Sequence, residues 1–300
     1  MRRFRKIPLA ILFTLVLAGL FHNAAGAMQT VFINADGSVY PSSVPIQREG
    51  DTYIFTGDLY ACLIVNRSGI TIDGAGYTLR GSLSGGSAGV WVGQGPTNET
   101  TAPYTIGIDT AHGKVTGLTI KNLNIRDFSI GMYIWTTNNT VIGNAVLDNI
   151  VGVLLSGSNN SVICNYIAGN EMGMFFGTNE PGTVPLNLTV SHNSFINNTN
   201  HLGGCVCKEY NLSETVHTWD NGREGNYWCD YNGTDVDGDG IGDTPYVIDV
   251  LNQDRFPLMR SYASPPTANK ELPAVVLVAI VVAVCSIVVV MVLVGRKRKT

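Results

Sequence analysis

A repeat of 21 residues occupies the middle of the chain and constrains the fold more than any other feature. TVIGNAVLDNIVGVLL begins at Thr140, and SVICNYIAGNEMGMFF begins 21 residues later at Ser161. The upstream stretch LTIKNLNIRDFSIGMYI has the same pattern with one extra residue, and LTVSHNSFINN starts another copy after an insertion around 181–185. A period in the twenties with several short segments per copy is typical of a solenoid.

Fixed offsets within each copy indicate strands and turns. The recurring positions are Asn122, Asn144, Asn165 and Asn193, then Gly131, Gly152 and Gly173, with Val141, Val162 and Val190 three residues before the Asn and Val146, Ile167 and Phe195 two after it. Short β-branched runs punctuated by Asn and Gly favour strands, and the leucine spacing of a leucine-rich repeat is absent. We predict an all-β, right-handed parallel β-helix of about 21–22 residues per coil, with Asn side chains hydrogen-bonded along the stack.

Both ends of the chain have the patterns of targeting and anchoring segments. Residues 1–27 combine a basic start, a short apolar run and Ala25-Gly26-Ala27, which predicts a cleaved secretory signal. Residues 273–294 form an uncharged apolar run that is long enough to span a bilayer, and the basic tail 295–300 favours the cytoplasmic side. We therefore expect a single-pass membrane protein with the bulk of the chain outside the cell.

The charge of the exterior part argues against nucleic acid as a partner. Between 28 and 273 the chain has 11 basic and 23 acidic residues, a net charge of −12. Nucleic-acid binding calls for a basic patch. Eight N-x-S/T sequons predict a glycosylated surface. They lie at Asn66, Asn98, Asn138, Asn159, Asn187, Asn197, Asn211 and Asn232.

Three stretches resemble a known family. YIFTGDLYACLIVNRSGITIDGAGYTLRG at 53–81 resembles the opening coils of NosD-type β-helix proteins, and NNTVIGN and NNSVICN resemble their central coils. GNYWCDYNGTDVDGDGIGDTPYVID at 225–249, with Gln253-Asp254 and Phe256-Pro257-Leu258 after it, resembles the family's C-terminal segment. The resemblance implies a β-helix at a cell surface, of the archaeal surface-protein type, and a link to copper handling or carbohydrate binding.

The predicted domains follow from the repeat and from changes in composition. They are the signal 1–27, an N-terminal cap 28–52, the β-helix 53–205, a C-terminal cap 206–260, a stalk 261–272, the membrane span 273–294 and the tail 295–300. Caps are expected because an open solenoid end exposes strand edges and apolar core.

The cysteines leave two interpretations open. Outside the cytoplasm disulfides are the default, and Cys229, at a position where the resembling motif usually has Ser, is a candidate partner for Cys205 or Cys207. The alternative is a copper or zinc site formed by His201, Cys205, Cys207 and His217, because thiolates and imidazoles suit Cu(I) and Zn. The spacing matches no established metal signature, so disulfide or structural roles are preferred.

Enzymatic activity rests on one weak pair of carboxylates. Asp127 and Asp148 each precede the recurring Gly by four residues, which predicts side chains about 4.8 Å apart on neighbouring coils. Such a pair shares a proton or holds a cation, as in a polysaccharide lyase or hydrolase with Arg126 as a base. The next coil has Gly169 at this offset, so the stack ends at two. We favour the interpretation of Asp127 and Asp148 as solvated turn residues and expect a non-enzymatic protein.

Three aromatic residues mark a candidate polysaccharide-binding face. Strand alternation places Tyr133, Trp135 and Phe175 opposite the aliphatic-rich set that includes Met132 and Val153. Exposed aromatic side chains on a flat face can stack on sugars, and apolar patches often mark binding sites. The alternative is that a loop such as the insertion 82–105 covers them.

An Asp-rich loop near the end of the exterior part predicts a calcium site. Asp235, Asp237 and Asp239 alternate around Gly238 and Gly240, and Ile241 and Asp243 supply a further carbonyl and carboxylate. Ca²⁺ takes six to eight oxygen ligands, and this spacing matches the start of an EF-hand loop before the match fails at Tyr246. Ca²⁺ is therefore the expected cofactor, with copper as a weaker possibility. The expected role is that of a surface binding or structural module, with a metal-handling accessory protein and a polysaccharide lyase or hydrolase as the alternatives.

Overall fold

Short strands separated by tight corners make up the regular secondary structure of the residues that the computed structural model describes. These are residues 28–83, 106–109, 115–177, 185–204 and 215–267. The strands are β1 (Gln29–Ile33), β2 (Val39–Tyr40), β3 (Ile46–Glu49), β4 (Thr52–Phe55), β5 (Leu59–Val65), β6 (Thr71–Asp73), β7 (Thr78–Arg80), β8 (Ile106–Asp109), β9 (Thr119–Lys121), β10 (Asn124–Arg126), β11 (Ile130–Ile134), β12 (Thr140–Ile142), β13 (Ala145–Leu147), β14 (Val151–Leu155), β15 (Ser161–Ile163), β16 (Tyr166–Ala168), β17 (Met172–Phe176), β18 (Thr189–Ser191), β19 (Ser194–Ile196), β20 (Asn200–Gly204), β21 (Tyr227–Trp228), β22 (Tyr246–Val247) and β23 (Gln253–Asp254).

Most strands fall into three sheets in rotation along the chain, whereas β22 and β23 form a separate antiparallel pair and β2 pairs antiparallel with β1. Sheet 1 holds β1, β5, β8, β11, β14, β17 and β20, sheet 2 holds β3, β4, β6, β9, β12, β15 and β18, and sheet 3 holds β7, β10, β13, β16, β19 and β21. Each coil contributes one parallel strand to each sheet, and the long β5 turns from sheet 3 into sheet 1 within one strand. This is the architecture of a parallel β-helix, so the predicted all-β solenoid is confirmed.

Apolar residues form continuous rows inside the coils. One row on sheet 2 runs through Ile72, Ile120, Val141, Val162 and Val190, whose side chains are at most 1% exposed. The corresponding row on sheet 3 is Leu79, Ile125, Val146, Ile167, Phe195 and Trp228. The apolar offsets read from the sequence are therefore the inward positions, and burial of these rows is the main apolar contribution to stability.

Buried asparagines line the inside of all three corners. We call a row of them an amide ladder. The first ladder lies between sheets 2 and 3 and comprises Asn144, Asn165, Asn193 and Asn226, the second lies between sheets 3 and 1 and comprises Asn149, Asn170 and Asn198, and the third lies between sheets 1 and 2 and comprises Asn139 and Asn160. None of these side chains is more than 9% exposed.

Each step of a ladder uses the same pair of hydrogen bonds. The Asn165 Oδ1 atom accepts from the backbone N–H of Asn144 (2.9 Å) and from its Nδ2 (3.0 Å). Asn165 Nδ2 in turn donates to the carbonyl oxygens of Val141 and Ile163, both at 2.9 Å. A corner residue has no strand partner for its N–H, and the amide of the next coil supplies one.

The register corrects one prediction about Asn122. Strands β9 and β10 pair with β12 and β13 at a constant offset of 21 residues, so this coil has no extra residue. The ladder position in this coil is taken by Leu123, whose N–H donates to Asn144 Oδ1. Asn122 precedes it at a φ of 54° and bonds Asp73 through Nδ2. Two neighbouring corner positions favour Asn: the buried one because its amide extends the ladder, and the one before it because its φ is positive. In this coil only the second position is Asn, so sequence comparison assigns Asn122 to the wrong one of the two.

The first ladder ends on a carboxylate at the C-terminal end of the coils. Asp254 Oδ2 accepts from Asn226 N (2.6 Å), Asn226 Nδ2 (3.3 Å) and Trp228 Nε1 (2.9 Å). A carboxylate only accepts hydrogen bonds, so it ends a chain of donors without leaving an amide N–H₂ unpaired. The rings of Phe195, Trp228 and Tyr246 stack in parallel beside it, with centroids 4.4 and 4.3 Å apart.

The segment that follows the cap runs back along the outside of sheet 3. Ser261 Oγ and the N–H of Ala263 contact Ser194 Oγ at 2.9 and 3.1 Å, and the Asn124 Nδ2 atom donates to the Pro266 carbonyl at 3.0 Å. Residues 261–266 of the predicted stalk therefore cross several coils before the chain leaves this unit. The other predicted domain limits remain predictions.

Removing one ladder amide should destabilise the fold strongly. In Asn165→Ala two buried donors of Asn144 lose their acceptor, so we expect the free energy of unfolding to fall by about 2–5 kcal/mol. Urea unfolding followed by tryptophan fluorescence measures this change. Asn200→Ala, at an exposed position of β20, should stay within about 0.5 kcal/mol of the wild type. Equal unfolding midpoints for the two variants would contradict the role given to the ladder.

Candidate functional site

The candidate catalytic aspartates lie at the outer corner between sheets 3 and 1. Asp127 and Asp148 have φ values of 63° and 53°, in the left-handed region that Asp tolerates better than most residues. Arg80 Nε lies 2.7 Å from Asp127 Oδ2, and Arg126 lies 3.3 Å from Asp127 and 2.7 Å from Asp148. The row alternates in charge, so the carboxylates are paired with guanidinium groups.

The candidate sugar-binding aromatics lie outside the main core on sheet 1. Tyr133 is in register with Leu154 and Phe175 in the next two coils, and it packs with Ile130 and Trp135. The Tyr133 and Trp135 rings meet edge to face, with centroids 5.7 Å apart. Tyr133 is only 3% exposed, whereas Trp135 and Phe175 are half-buried. A ligand at this face would therefore meet Trp135 and Phe175 before Tyr133.

Three of the predicted calcium ligands converge in the loop. One carboxylate oxygen from each of Asp235, Asp237 and Asp239 lies within 4.8 Å of the other two. Two oxygens that bind one Ca²⁺ at 2.3–2.6 Å are at most about 5 Å apart, so this spacing fits a shared ion. Asp235 also accepts from the N–H groups of Gly238 and Gly240 at 2.8 and 3.0 Å.

The remaining residues of the loop tie it to the rest of the cap. Asp243 Oδ2 accepts from Val236 N (2.9 Å) and Thr234 Oγ1 (3.0 Å), so this carboxylate closes the base of the loop. Ile241 donates its N–H to Asp239 Oδ1 and pairs with Leu258 in a β-bridge. The loop is thus attached through Leu258 to the end of the cap, just before the segment that runs along sheet 3.

His201 lies at the last coil of the described sheet 1. In the three preceding coils the equivalent position is Gly131, Gly152 or Gly173, where a Cβ atom would approach the carbonyl oxygen of the next coil to 2.5–2.7 Å. At the end of the stack the side chain instead points towards the cap. His201 Nε2 lies 3.2 Å from Asp230 Oδ1 and 3.6 Å from Cys229 Sγ, in a groove of about 540 Å³.

Electrostatics favour a neutral imidazole in this groove. Burial lowers the pKa of His201, and the nearby Asp230 carboxylate opposes this shift only in part. The side chain of His201 is 7% exposed, whereas that of Asp230 is 58% exposed. His201 is therefore a buried ring whose neutral form is favoured, and it faces a solvated carboxylate and a thiol.

The other predicted metal ligands and disulfide partners are dispersed or outside the described residues. Cys205 and Cys207 lie outside the described residues, so their predicted disulfide with Cys229 remains a prediction. The structure gives Cys229 a free thiol. Burial lowers the pKa of His217, which stacks on Phe176 and contacts Thr215 Oγ1 through Nε2 at 3.0 Å. Within the described part of the chain its Nδ1 atom has no hydrogen-bond partner.

Several sequons coincide with the corner turns. Asn138, Asn159 and Asn187 occupy one outer corner in three successive coils, and Asn197 lies at another corner. All four residues have positive φ values, between 50° and 61°. Asn187 Nδ2 donates to Asn159 Oδ1 at 3.2 Å. Asn66 and Asn232 lie elsewhere on the described surface, whereas Asn98 and Asn211 lie outside the described residues. Corner geometry alone accounts for the Asn at four of these sequons.

The predicted signal and membrane span fall outside the described residues. Residues 1–27 and 268–300 are not among them. In the part of the chain that the structure describes, no helix is long and apolar enough to cross a bilayer.

The stacked parallel strands and the laddered corners define the class of protein as a parallel β-helix solenoid. The family model described as "Periplasmic copper-binding protein (NosD)" matches residues 52–233, and the chain belongs to this NosD family. No curated protein matches the chain in sequence. The matched range covers the coils and His201, and it ends just before the Asp-rich loop.

Sequence reasoning missed the second and third ladders and the aromatic stack of the cap. The sequence does contain a signal for these two ladders, because Asn recurs 21 residues apart at Asn139 and Asn160 and again at Asn149 and Asn170. The approach of Cys229 and Asp230 to His201 had no such signal, because it joins residues that are 28 positions apart and outside the repeat.

Proposed function

We propose that the protein acts outside the cytoplasm as a non-enzymatic β-helix binding module. The supporting observation is the state of the candidate catalytic carboxylates, since Asp127 and Asp148 are each paired with arginine. A general acid or base needs a carboxyl group that is free to exchange a proton with a substrate. The three sheets instead present in-register rows of side chains from coil to coil, and solenoids use such extended surfaces for binding.

The partner proposed for sheet 1 is a cell-surface polysaccharide. Trp135 and Phe175 offer partly exposed rings on one face, and Tyr133 supports Trp135 from the side. Aromatic anchors dominate many binding sites because they bury a large area with few rotatable bonds.

Polysaccharide binding should depend on Trp135. Trp135→Ala should weaken binding at least tenfold, about 1.4 kcal/mol, because a partly exposed indole offers a large flat ring for stacking on a sugar. The measurement is binding of the purified chain to an array of surface polysaccharides. Tyr60→Ala changes a partly exposed tyrosine on sheet 3 and is the matched control. Wild-type and Trp135→Ala signals that are equal on every glycan would remove this face from consideration.

We further propose that the module is held at the membrane by residues 273–294. The support is the sequence pattern of an uncharged run followed by Arg296-Lys297-Arg298-Lys299. A chain that ends at Leu272 should then be secreted, with the signal cleaved after Ala27. Cell fractionation with a high-salt wash measures this, and N-terminal sequencing checks the cleavage. Retention of the shortened chain in washed membranes would show that residues 1–27 are an anchor.

We propose that the loop of Asp235, Asp237 and Asp239 binds Ca²⁺ and stabilises the C-terminal cap. Three carboxylates within 4.8 Å of one another repel each other unless a cation lies between them. The loop is joined to the cap through Gly242 N, which donates to the Pro257 carbonyl at 2.8 Å, and through Met259 N, which donates to Gly240 O at 3.0 Å. Binding in the loop therefore bears directly on the stability of the cap.

Calcium should raise the melting temperature of the wild type. At a free concentration a hundred times the dissociation constant, linkage predicts about 2.7 kcal/mol of added stability. Thermal unfolding in EDTA and in millimolar Ca²⁺ tests this for the wild type and for Asp237→Asn with Asp239→Asn, which should lose the response. Glu171→Gln removes an exposed charge outside the loop and should keep it. Identical wild-type melting in both buffers, with no calcium by elemental analysis, would reject the site.

A further inference from the structure

The copper-binding description of the NosD family makes copper a natural candidate for the groove where His201 meets Cys229. A thiolate and an imidazole suit Cu(I), but the metal needs the lone pair of the ring nitrogen that faces the thiol. That nitrogen is Nε2, which lies 3.6 Å from Cys229 Sγ. The location of the ring proton therefore decides whether His201 fits copper.

The second ladder determines what faces the other ring nitrogen. Asn198 Oδ1 accepts from the backbone N–H of Asn170 (3.0 Å) and from its Nδ2 (2.9 Å). Asn198 Nδ2 donates to the Ile167 carbonyl at 2.9 Å. Turning this amide over would place N–H₂ against two buried donors and an oxygen against a carbonyl. The orientation of Asn198 is thus fixed by three hydrogen bonds that have nothing to do with His201.

The fixed amide presents a donor to the ring. Asn198 Nδ2 lies 3.4 Å from His201 Nδ1, so Nδ1 is the acceptor of this contact. In a neutral imidazole the proton then resides on Nε2, where Asp230 Oδ1 accepts at 3.2 Å. We infer that the second ladder holds His201 as the Nε2–H tautomer, so that this imidazole is a hydrogen-bond donor to Asp230 and Cys229 and does not fit as a copper ligand.

The other states of the ring conflict with its surroundings. The Nδ1–H tautomer and the doubly protonated ring both place a donor against the Asn198 N–H₂ group. Rotation of the ring by 180° would replace both nitrogens by carbon atoms at their present contacts with Asn198, Cys229 and Asp230. Burial also lowers the pKa of the ring, which disfavours the doubly protonated form.

The sulfur of Cys229 is held by donors in the same way. The backbone N–H of Asn197 donates to Cys229 Sγ at 3.2 Å, and the Nε2–H group of His201 approaches the same atom. Copper ligation by a histidine usually depends on an acceptor that orients the far ring N–H. Here that position is taken by a donor, so a copper ion on Cys229 would need ligands other than His201.

Nitrogen NMR of the full chain with ¹⁵N-labelled histidine tests the tautomer directly. We expect the signals of His201, assigned by their loss in His201→Gln, to show a protonated Nε2 and an unprotonated Nδ1 at neutral pH. Spectra that show Nδ1–H would overturn the inference. This readout needs no metal and does not depend on polysaccharide or Ca²⁺ binding.

Competition with a chromogenic Cu(I) chelator tests the metal side of the inference. His201→Gln should leave Cu(I) affinity within twofold of the wild type, including the case in which neither binds. A tenfold loss in His201→Gln, with the fold intact and Cys164→Ser unchanged, would overturn it.

A designed change of tautomer provides the positive test. In Asn198→Asp the new oxygen faces Nδ1, can accept an Nδ1–H group and leaves Nε2 free to bind metal. We expect Cu(I) affinity to rise at least tenfold in Asn198→Asp and not in Asn170→Asp, the same substitution one coil earlier with no histidine beside it. Equal Cu(I) affinities in two folded variants would count against the inference, and the wild-type NMR result decides if Asn198→Asp does not fold.

Discussion

The hydrogen bonds between buried corner amides are the interaction on which the rest of this structure depends. A strand of three residues cannot satisfy its own corner, because the chain turns away from the parallel partner that would accept the next N–H. An asparagine in the following coil supplies the acceptor, and its own N–H₂ group donates to the carbonyls around it. Without this exchange each coil would bury several unpaired backbone groups, at a cost of about 1–3 kcal/mol for each.

The ladders also explain residues that look functional in the sequence. A buried corner Asn is preceded by a residue in the left-handed region, and that position is filled by Asp148 before Asn149 and by Asn159 before Asn160. Asn and Asp adopt this conformation more readily than most residues, and Gly169 does so freely. The pair of aspartates and the column of sequons therefore arise from one backbone requirement.

The repeat predicted the inward rows because burial imposes a strict alternation on short strands. Val141, Val162 and Val190 are equivalent in sequence and in structure. The repeat did not predict the register of Asn122, because in that coil the Asn lies one residue before the ladder position, which is Leu123. Only the pairing of the flanking strands shows this. The burial of Tyr133 could not be predicted either, since alternation determines the face of a strand and says nothing about what packs on that face.

The end of the solenoid is where the ladders meet chemistry. Inside the stack each ladder amide lies next to the amide of the following coil, and its donor and acceptor groups are satisfied by neighbouring coils. At the last coil this regularity stops, and the ends of two ladders have different partners. The first ladder ends on the Asp254 carboxylate, which accepts every donor offered to it. The second ends beside His201. The Nδ1 atom of this ring accepts a hydrogen bond from Asn198, and its Nε2–H group faces Cys229 and Asp230. The ladder that satisfies backbone groups thereby determines which nitrogen of His201 carries the proton. A change at Asn198 therefore acts on Cys229 through the His201 ring, which Asn198 contacts only at Nδ1.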